Sequence, residues 1–265
     1  MAMRIFLRVA HSIFVWVFLA TWCVFWITVA LPVAIISSET ALAMARRLWS
    51  RPLFWVSGAR LQREPLPDVD WSRPHIFVMN HQSNLDIPVA FAALPSNLRF
   101  VAKHSLLYVP FLGWYMWITG MIFVNRSHRA RAVASLRRAG ERIRAGANIL
   151  AFPEGTRSRD GKIHPFKKGP FALALEAQVP VVPVAIEGSG AVQPAQGWWV
   201  HPGVIRVKVG RPIPTAGRSP DDRDALAREV RDAIIQLHRE IGGQGGDAIA
   251  IGPRDKRGSG SLQVA

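Results

Sequence analysis

The chain contains a single cysteine, Cys23, among its 265 residues. A disulfide within the chain and a cysteine-rich metal site are therefore excluded, and this fits a reducing, cytosolic compartment. Because the thiol lies inside an apolar run, it stays protonated and is a poor candidate nucleophile. The histidines lack metal-ligand spacing as well. We therefore expect no metal and no cofactor.

Acidic residues are also scarce. The sequence has 18 Asp and Glu against 33 Lys and Arg, and its formal net charge is +15. Such an excess indicates an anionic partner. The candidates are nucleic acid, an acidic membrane surface and a phosphorylated substrate. No helix-turn-helix, zinc or RNA-recognition signature is present. A long apolar segment favours the membrane over nucleic acid.

Charged residues are absent from the run between Ser12 and Ser38. The run is long enough to span a hydrocarbon core of about 30 Å. A cleavable signal peptide is the competing interpretation, because Arg4 and Arg8 precede the run. The run is too long for an ordinary signal-peptide core, however, and no cleavage site clearly closes it. We therefore interpret it as a retained membrane segment.

Lys and Arg flank both ends of the apolar run, so the positive-inside rule does not fix its orientation. A hairpin that enters one leaflet and returns would keep both flanks on the cytoplasmic face, and Pro32 is compatible with a bend. Leu42 to Gly58 resembles an interfacial amphipathic helix; a core-packing helix is the alternative. We predict that residues 1–60 form a membrane-associated helical segment, at the inner membrane and with the catalytic domain on its cytoplasmic face.

Beyond His75, short apolar runs alternate with helical stretches. Candidate strands are His75–Met79, Leu98–Ala102, Met121–Val124, Asn148–Phe152, Val181–Ile186 and Val204–Val209. Candidate helices are Ile87–Ala93, Arg129–Ala145, Phe171–Gln178 and Asp221–Ile241. This alternation predicts an α/β domain, residues 61–241, with a mostly parallel sheet flanked by helices. Residues 242–265 are rich in Gly, Ser and charge, and we expect a disordered tail.

One candidate strand leads directly to a histidine and a carboxylate, His81 and Asp86. In an α/β sheet, ligands bind at the carboxyl ends of strands, where His81 falls. A carboxylate that fixes the tautomer of a histidine prepares it to take a proton from a hydroxyl. The alternative is that Ser83 and Asp86 merely cap the following helix and that His81 is a polar loop residue.

Charged and small polar residues follow two further strands: Arg126, and the block Glu154, Gly155, Thr156 and Arg157. Lys103 supplies more positive charge nearby in sequence order. Guanidinium groups suit phosphate because their planar donor fork grips two oxygens. A glycine lets the backbone approach a ligand closely. Taken singly, each basic residue is equally well explained as a solvated surface charge.

Four blocks together resemble the glycerolipid acyltransferase family, specifically the 1-acylglycerol-3-phosphate acyltransferases. The segment Asn80 to Asp86 matches the family's NH-x4-D motif, and Phe152 to Arg157 matches its FPEGTR block. Gly120 to Arg126 and Val179 to Ile186 are similar to its second and fourth blocks. The match covers roughly Ile76 to Arg211, in the family's order. Asn125 departs from it, because the family often has an acidic residue there.

The resemblance implies that His81 is the general base for the sn-2 hydroxyl of lysophosphatidic acid and that Asp86 orients it. The hydroxyl attacks the thioester of acyl-CoA or an acyl carrier protein directly, and phosphatidic acid results. By analogy, Arg126 and the block Glu154, Gly155, Thr156 and Arg157 hold the glycerol phosphate, with help from Lys103. Backbone amides of the turn from His81 to Ser83 are candidate donors to the oxyanion.

Three alternatives stay open at this point. The same chemistry would act on another acceptor, such as a lyso-ornithine lipid, a lysophospholipid or glycerol 3-phosphate. A non-catalytic membrane lipid-binding protein would need the fold but not the His81–Asp86 pair. A hydrolase would need a nucleophile, and no G-x-S-x-G elbow surrounds Ser83.

Overall fold

The computed structural model of the chain describes residues 1–124 and 139–247. Three predictions fall wholly or partly outside this range. They are the position of Arg126, the first part of the helix predicted at Arg129–Ala145, of which residues 139–144 are helical, and the part of the predicted tail beyond residue 247.

The N-terminal region is a chain of helices that turns back on itself: α1 (Ala2–Ile36), α2 (Ser38–Met44), a π-helical turn (Ala45–Trp49) and α3 (Ser50–Ser57). The chain changes direction at Ser37, which is extended and whose hydroxyl accepts a hydrogen bond from the amide of Thr40. Helix α1 runs through Pro32, so the turn lies later than the bend expected there. Gly58 ends α3 in the left-handed conformation that favours glycine.

Within the described residues, seven strands form one sheet in the order β1-β7-β6-β2-β5-β3-β4. They are β1 (Ala59–Arg63), β2 (Ile76–Met79), β3 (Leu98–Lys103), β4 (Ile122–Val124), β5 (Asn148–Ala151), β6 (Val181–Glu187) and β7 (Gly203–Val209). Every neighbouring pair is parallel except β6 and β7. The predicted α/β class with a mostly parallel sheet is confirmed. All six predicted strands are present, and β1 was not predicted.

Besides the helical residues 139–144, further helices cover the sheet: α4 (Asp86–Ala93), α5 (Leu112–Ile118), α6 (Gly169–Ala177), the short α7 (Ser189–Val192) and α8 (Arg223–Glu240). Side chains of β2 alternate between the two faces, as the period of a strand requires. Phe77 and Met79 join a core with α1, α2 and α4, whereas Ile76 and Val78 join a core with α6 and α8. The protein is therefore a three-layer arrangement with the N-terminal helices on one face.

The beginning of the predicted tail is ordered. The carbonyl of Gly245 accepts a hydrogen bond from the amide of Ile163, and Arg231 donates to the carbonyl of Asp247. Residues 242–247 therefore pack against the domain instead of forming part of a disordered tail. The division of the chain at residues 60 and 61 stays a prediction, although β1 begins just before it.

Parallel strands bring their carboxyl ends to one edge of the sheet. Along this edge the order β6-β2-β5-β3 aligns Glu187, His81, the turn 152–157 and Lys103. The edge therefore collects the described residues that the sequence marked as a site.

Candidate active site

His81 and Asp86 are in direct contact. The Nδ1 atom of His81 lies 2.7 Å from Oδ2 of Asp86, which is fully buried. A carboxylate only accepts hydrogen bonds, so Nδ1 carries the proton and Nε2 is left with a basic lone pair. The ring of His81 also stacks on Phe152, with 4.1 Å between centroids. The imidazole is thus held at one edge and one face while Nε2 stays available.

Asp86 opens helix α4 but does not cap it conventionally. Its carboxylate turns back to accept the amides of Gln82 at 2.6 Å and Ser83 at 2.9 Å, in addition to the bond with His81. The N-cap residue is Leu85, which makes no side-chain cap bond, and the hydroxyl of Ser83 accepts from the amide of Leu85. The expectation that Ser83 caps the helix is therefore wrong in this detail, and Asp86 organises the turn that carries His81.

The amides of this turn already have acceptors. The amide of His81 donates to Oε1 of Glu154 at 2.9 Å, and those of Gln82 and Ser83 donate to Asp86. None of the three faces an open site. The expectation that they stabilise an oxyanion is therefore wrong, because the same groups are needed to hold the turn.

Glu154 is buried, and both carboxylate oxygens are used by backbone amides. Oε1 accepts from His81, and Oε2 accepts from His164 at 3.2 Å. Burial raises the pKa of this carboxyl above its ordinary value, although the amide bonds oppose the rise. These contacts support a role in positioning His81, in place of the direct contact with substrate that the resemblance implied.

The turn after Glu154 carries positive charge. Gly155 has φ +72°, and a Cβ atom there would lie 2.5 Å from Nζ of Lys167, so the lysine side chain covers the glycine. Thr156 is exposed and Arg157 is half-buried beside it. Because β5 neighbours β2, this turn lies next to His81. Lys103 is exposed at the end of β3, two strands from β2 and hence roughly 10 Å away along the edge.

Several residues of this site escaped the sequence analysis. The side-chain amide of Asn80 donates to the carbonyl of Ile186 and accepts from its amide, at 2.9 and 2.8 Å. Phe152 supports the imidazole, and Gln193 accepts from the buried hydroxyl of Ser83. Asn80 and Phe152 lie inside the quoted blocks and were recognisable as parts of a pattern. Gln193 carries no local signal.

An apolar cavity of about 370 Å³ begins beside the same turn. Asn84 and Leu85 form the part of its wall nearest His81 in the sequence. The N-terminal helices and α5 provide most of the rest, including Cys23, Trp26, Ala45, Trp49, Tyr115 and Met116. The volume and apolar lining of the cavity suit a hydrocarbon chain.

The α/β fold, the histidine–aspartate pair and the apolar cavity that includes Asn84 and Leu85 in its wall fit the class of α/β acyltransferases. A family model described as Acyltransferase matches residues 57–187. The 1-acyl-sn-glycerol-3-phosphate acyltransferase alpha of Homo sapiens is 32% identical over 233 residues, 86% of this chain and 82% of the human protein.

Two further comparisons agree. The 1-acyl-sn-glycerol-3-phosphate acyltransferase of Saccharomyces cerevisiae is 38% identical over 174 residues, 64% of this chain and 57% of the yeast protein. The crystal structure of the 1-acyl-sn-glycerophosphate acyltransferase PlsC from Thermotoga maritima matches with a TM-score of 0.78 and 27% identity, over 90% of this chain and 97% of that one. The chain belongs to the 1-acyl-sn-glycerol-3-phosphate acyltransferase family. The resemblance inferred from the four blocks is confirmed, and the protein is an O-acyltransferase.

Proposed function

We propose that this chain transfers a fatty acyl group from a thioester to the sn-2 hydroxyl of lysophosphatidic acid, giving phosphatidic acid for phospholipid synthesis. The observation that carries the proposal is the bond between His81 Nδ1 and Asp86, which leaves Nε2 as a base at the sheet edge. Nε2 takes the hydroxyl proton as the oxygen attacks the thioester carbonyl. The C–S bond then breaks, and the imidazolium returns the proton to the departing sulfur, which leaves as a thiol.

Direct attack suits the surroundings of the histidine. The hydroxyl nearest to it in the sequence, that of Ser83, is fully buried and donates to Gln193 at 3.1 Å. The same hydroxyl accepts from the amide of Leu85 at 3.2 Å, so both of its hydrogen bonds go to residues other than His81. Asp86 stabilises the imidazolium that forms and keeps the ring in the required tautomer.

The basic groups of the edge support binding of the acceptor phosphate. Arg157 lies in the turn after β5, Lys167 covers that turn, and Lys103 ends β3, so guanidinium and ammonium donors lie beyond β2 along the edge. Arg126 follows β4 in the sequence and completes the proposed set, although it lies outside the described residues. Gly155 makes room for the Lys167 side chain over this turn, and Thr156 adds an exposed hydroxyl.

The apolar cavity would hold an acyl chain with its carboxyl end toward His81. Its lining is almost wholly apolar, and its wall includes Leu85, one residue before Asp86. Burial of each methylene there contributes about 0.8 kcal/mol. The donor is a thioester of coenzyme A or of an acyl carrier protein.

The bilayer is the proposed environment, with the catalytic domain on the cytoplasmic face of the inner membrane. Helix α1 is long and apolar enough to cross a membrane, and only 17% of its most apolar 18-residue stretch is buried within the protein. It is also tied along the domain: Ser12 accepts from the amide of Val200, Trp16 donates to the carbonyl of Trp198, and Trp22 donates to that of Trp49. Because α1 is hydrogen-bonded to other parts of the protein between Ser12 and Trp22, these contacts support insertion into one leaflet over a crossing of the whole bilayer.

The test is an assay of the purified full chain with labelled acyl-CoA, or acyl carrier protein thioester, and a panel of lysolipids. We expect turnover of lysophosphatidate in preference to lyso-ornithine lipid, other lysophospholipids and glycerol 3-phosphate. His81→Ala should abolish turnover without loss of folding or membrane retention, whereas His201→Ala, a half-buried histidine elsewhere, should not. Turnover of another lysolipid alone would refute the proposed acceptor. Near-normal activity in His81→Ala would refute the proposed base.

A further inference from the structure

A second histidine–carboxylate pair lies behind the first. His238, near the end of α8, is fully buried, and its Nε2 lies 2.5 Å from Oε2 of Glu187. Glu187 is the last residue of β6, the strand beside β2. The pair therefore sits at the same sheet edge as His81, and the proposed chemistry does not use it.

The C-terminal segment fixes the tautomer of His238. The amide of Gly245 donates to Nδ1 at 3.0 Å, so Nδ1 is an acceptor and Nε2 carries the proton that Glu187 accepts. Gly243 lies flat over the imidazole, because a Cβ atom there would be 2.3 Å from the ring. The glycines of residues 242–246 thus allow the chain to close over the histidine.

Gln82 connects this pair to the catalytic turn. Its side-chain amide donates to Oε2 of Glu187 at 3.0 Å, and its backbone amide donates to Oδ2 of Asp86. Nε2 of Gln82 and Nε2 of His238 lie 3.2 Å apart. Both nitrogens are donors, and they share one acceptor, Oε2 of Glu187. One residue, directly after His81, is therefore held at both ends.

The pKa of Glu187 agrees with a carboxylate that accepts hydrogen bonds from both His238 and Gln82. Burial alone would raise the pKa of Glu187, but the hydrogen bonds from His238 and Gln82 outweigh it, and the pKa is lowered. The carboxylate is thus ionised at neutral pH and accepts from both. Without this carboxylate, the buried N–H groups of Gln82 and His238 would lack a hydrogen-bond acceptor, which is energetically costly.

We propose that Glu187 and His238 are positioning residues for the His81–Asp86 pair, and that they act through the side chain of Gln82. The C-terminal residues 242–247 are then part of the support of the active site. This inference rests on the proposed acyl transfer. The competing explanation is that His238 only anchors the C-terminal segment through Gly245.

Two substitutions of His238 separate these explanations. His238→Gln keeps a donor at the position of Nε2 and loses the acceptor for Gly245; His238→Asn keeps the acceptor at the position of Nδ1 and loses the donor to Glu187. If positioning passes through Glu187, kcat in acyl transfer should fall about 10- to 100-fold in His238→Asn, the scale of a small misplacement of catalytic groups. His238→Gln should stay close to wild type. KM for both substrates should change little, because no substrate contact is removed.

A double-variant cycle tests the connection through Gln82. Gln82→Met and Glu187→Met should each lower kcat to a similar extent, and the double variant should lose no more than the worse single one, since both break the same chain. Gln236→Ala, at an exposed position on α8, is the control. Circular dichroism and thermal unfolding in detergent establish that each variant is folded.

The possible outcomes distinguish a failure of the proposed acyl transfer from a failure of the proposed positioning role. Wild-type protein that turns over no lysolipid refutes the proposed function. Active wild-type protein with His238→Gln impaired and His238→Asn normal refutes positioning through Glu187 and supports the anchoring role. Fully additive losses in Gln82→Met and Glu187→Met refute the shared chain.

Discussion

The imidazole of His81 lies against the ring of Phe152, with an angle of 22° between the two planes. The contact joins the first and third of the four blocks, because β2 and β5 are neighbours and each residue lies just beyond the end of its strand. Asp86 restrains one edge of the imidazole and Phe152 restrains one face. Together they hold the ring in one orientation, in which Nε2 is the nitrogen that the proposed acceptor hydroxyl would meet.

Phe152→Leu should therefore lower kcat while KM changes little. Leucine keeps an apolar side chain but offers no flat face, so the imidazole gains rotational freedom; we expect a loss of about tenfold. Steady-state kinetics with lysophosphatidate measure it. Phe166→Leu is the matched control, because Phe166 is also half-buried and stacked, but on Phe171 instead of on His81. Equal effects of the two substitutions would mean that Phe152 acts only through stability.

Much of this site follows from local patterns. The apolar run at Ile76–Met79 specifies a buried strand, and parallel strands share an edge, so the sequence predicts that His81 and the turn after Phe152 meet there. The four blocks add the roles of the residues. Strand β1 was missed because Ala59–Arg63 has three exposed or half-exposed polar residues and pairs on one side only, at the edge of the sheet.

The support of the site was not predictable in the same way. Gln82 and His238 are 156 residues apart, and their meeting depends on how α8 packs against β6. Neither residue differs locally from a surface glutamine or a helix-terminal histidine. The turn at Ser37 was likewise hidden, since Pro32 is the stronger sequence signal but its ring is accommodated within α1.

Glu154→Gln tests the role of the buried carboxylate. A glutamine has one oxygen acceptor, so its NH2 group would face the amide of His81 or His164 and leave a buried donor unpaired. We expect a loss of kcat of at least tenfold, on the scale of about 1–3 kcal/mol for an unsatisfied buried group. Glu176→Gln, an exposed glutamate on α6, is the control. Unchanged kcat in Glu154→Gln would contradict the positioning role.

The raised pKa of Glu154 also predicts a pH effect on stability. A carboxyl whose pKa is higher in the folded protein than in the unfolded chain binds its proton more tightly when folded, so its contribution to stability increases as pH falls through the raised value. The thermal midpoint of the wild type should therefore rise relative to Glu154→Gln between neutral pH and about pH 5. A difference that moves the opposite way, or not at all, would show that burial does not raise this pKa.

Enlarging a small residue of the cavity should shift the choice of acyl chain. Ala45→Leu places three extra carbons among the cavity walls formed by the N-terminal helices. Each methylene excluded should cost about 0.8 kcal/mol, or roughly a fourfold loss in kcat/KM for the longest chains. Donor and acceptor chain lengths are varied separately, and the one that responds identifies which chain the cavity holds. Ala225→Leu, exposed on α8, should alter neither profile.

Helix α5 should contact the bilayer together with α1. Trp114 and Trp117 are 54% and 64% exposed on α5, which packs on the same face of the sheet as α1. Amphipathic aromatic rings favour the level of the lipid headgroups. The single cysteine makes a site-specific probe practical: after Cys23→Ala, Trp117→Cys carries a fluorescent label. Lipids with a shallow spin label should quench it strongly, and aqueous iodide should quench it weakly.

The matched probe is Gln236→Cys in the same Cys23→Ala background. Gln236 is exposed on α8, whose apolar side belongs to the core on the opposite face of the sheet. Its label should respond to iodide and not to the spin-labelled lipid. If the label at position 117 behaved in the same way, the aromatic face of α5 would lie in water, and α1 with its neighbouring helices would have to provide the membrane contact alone.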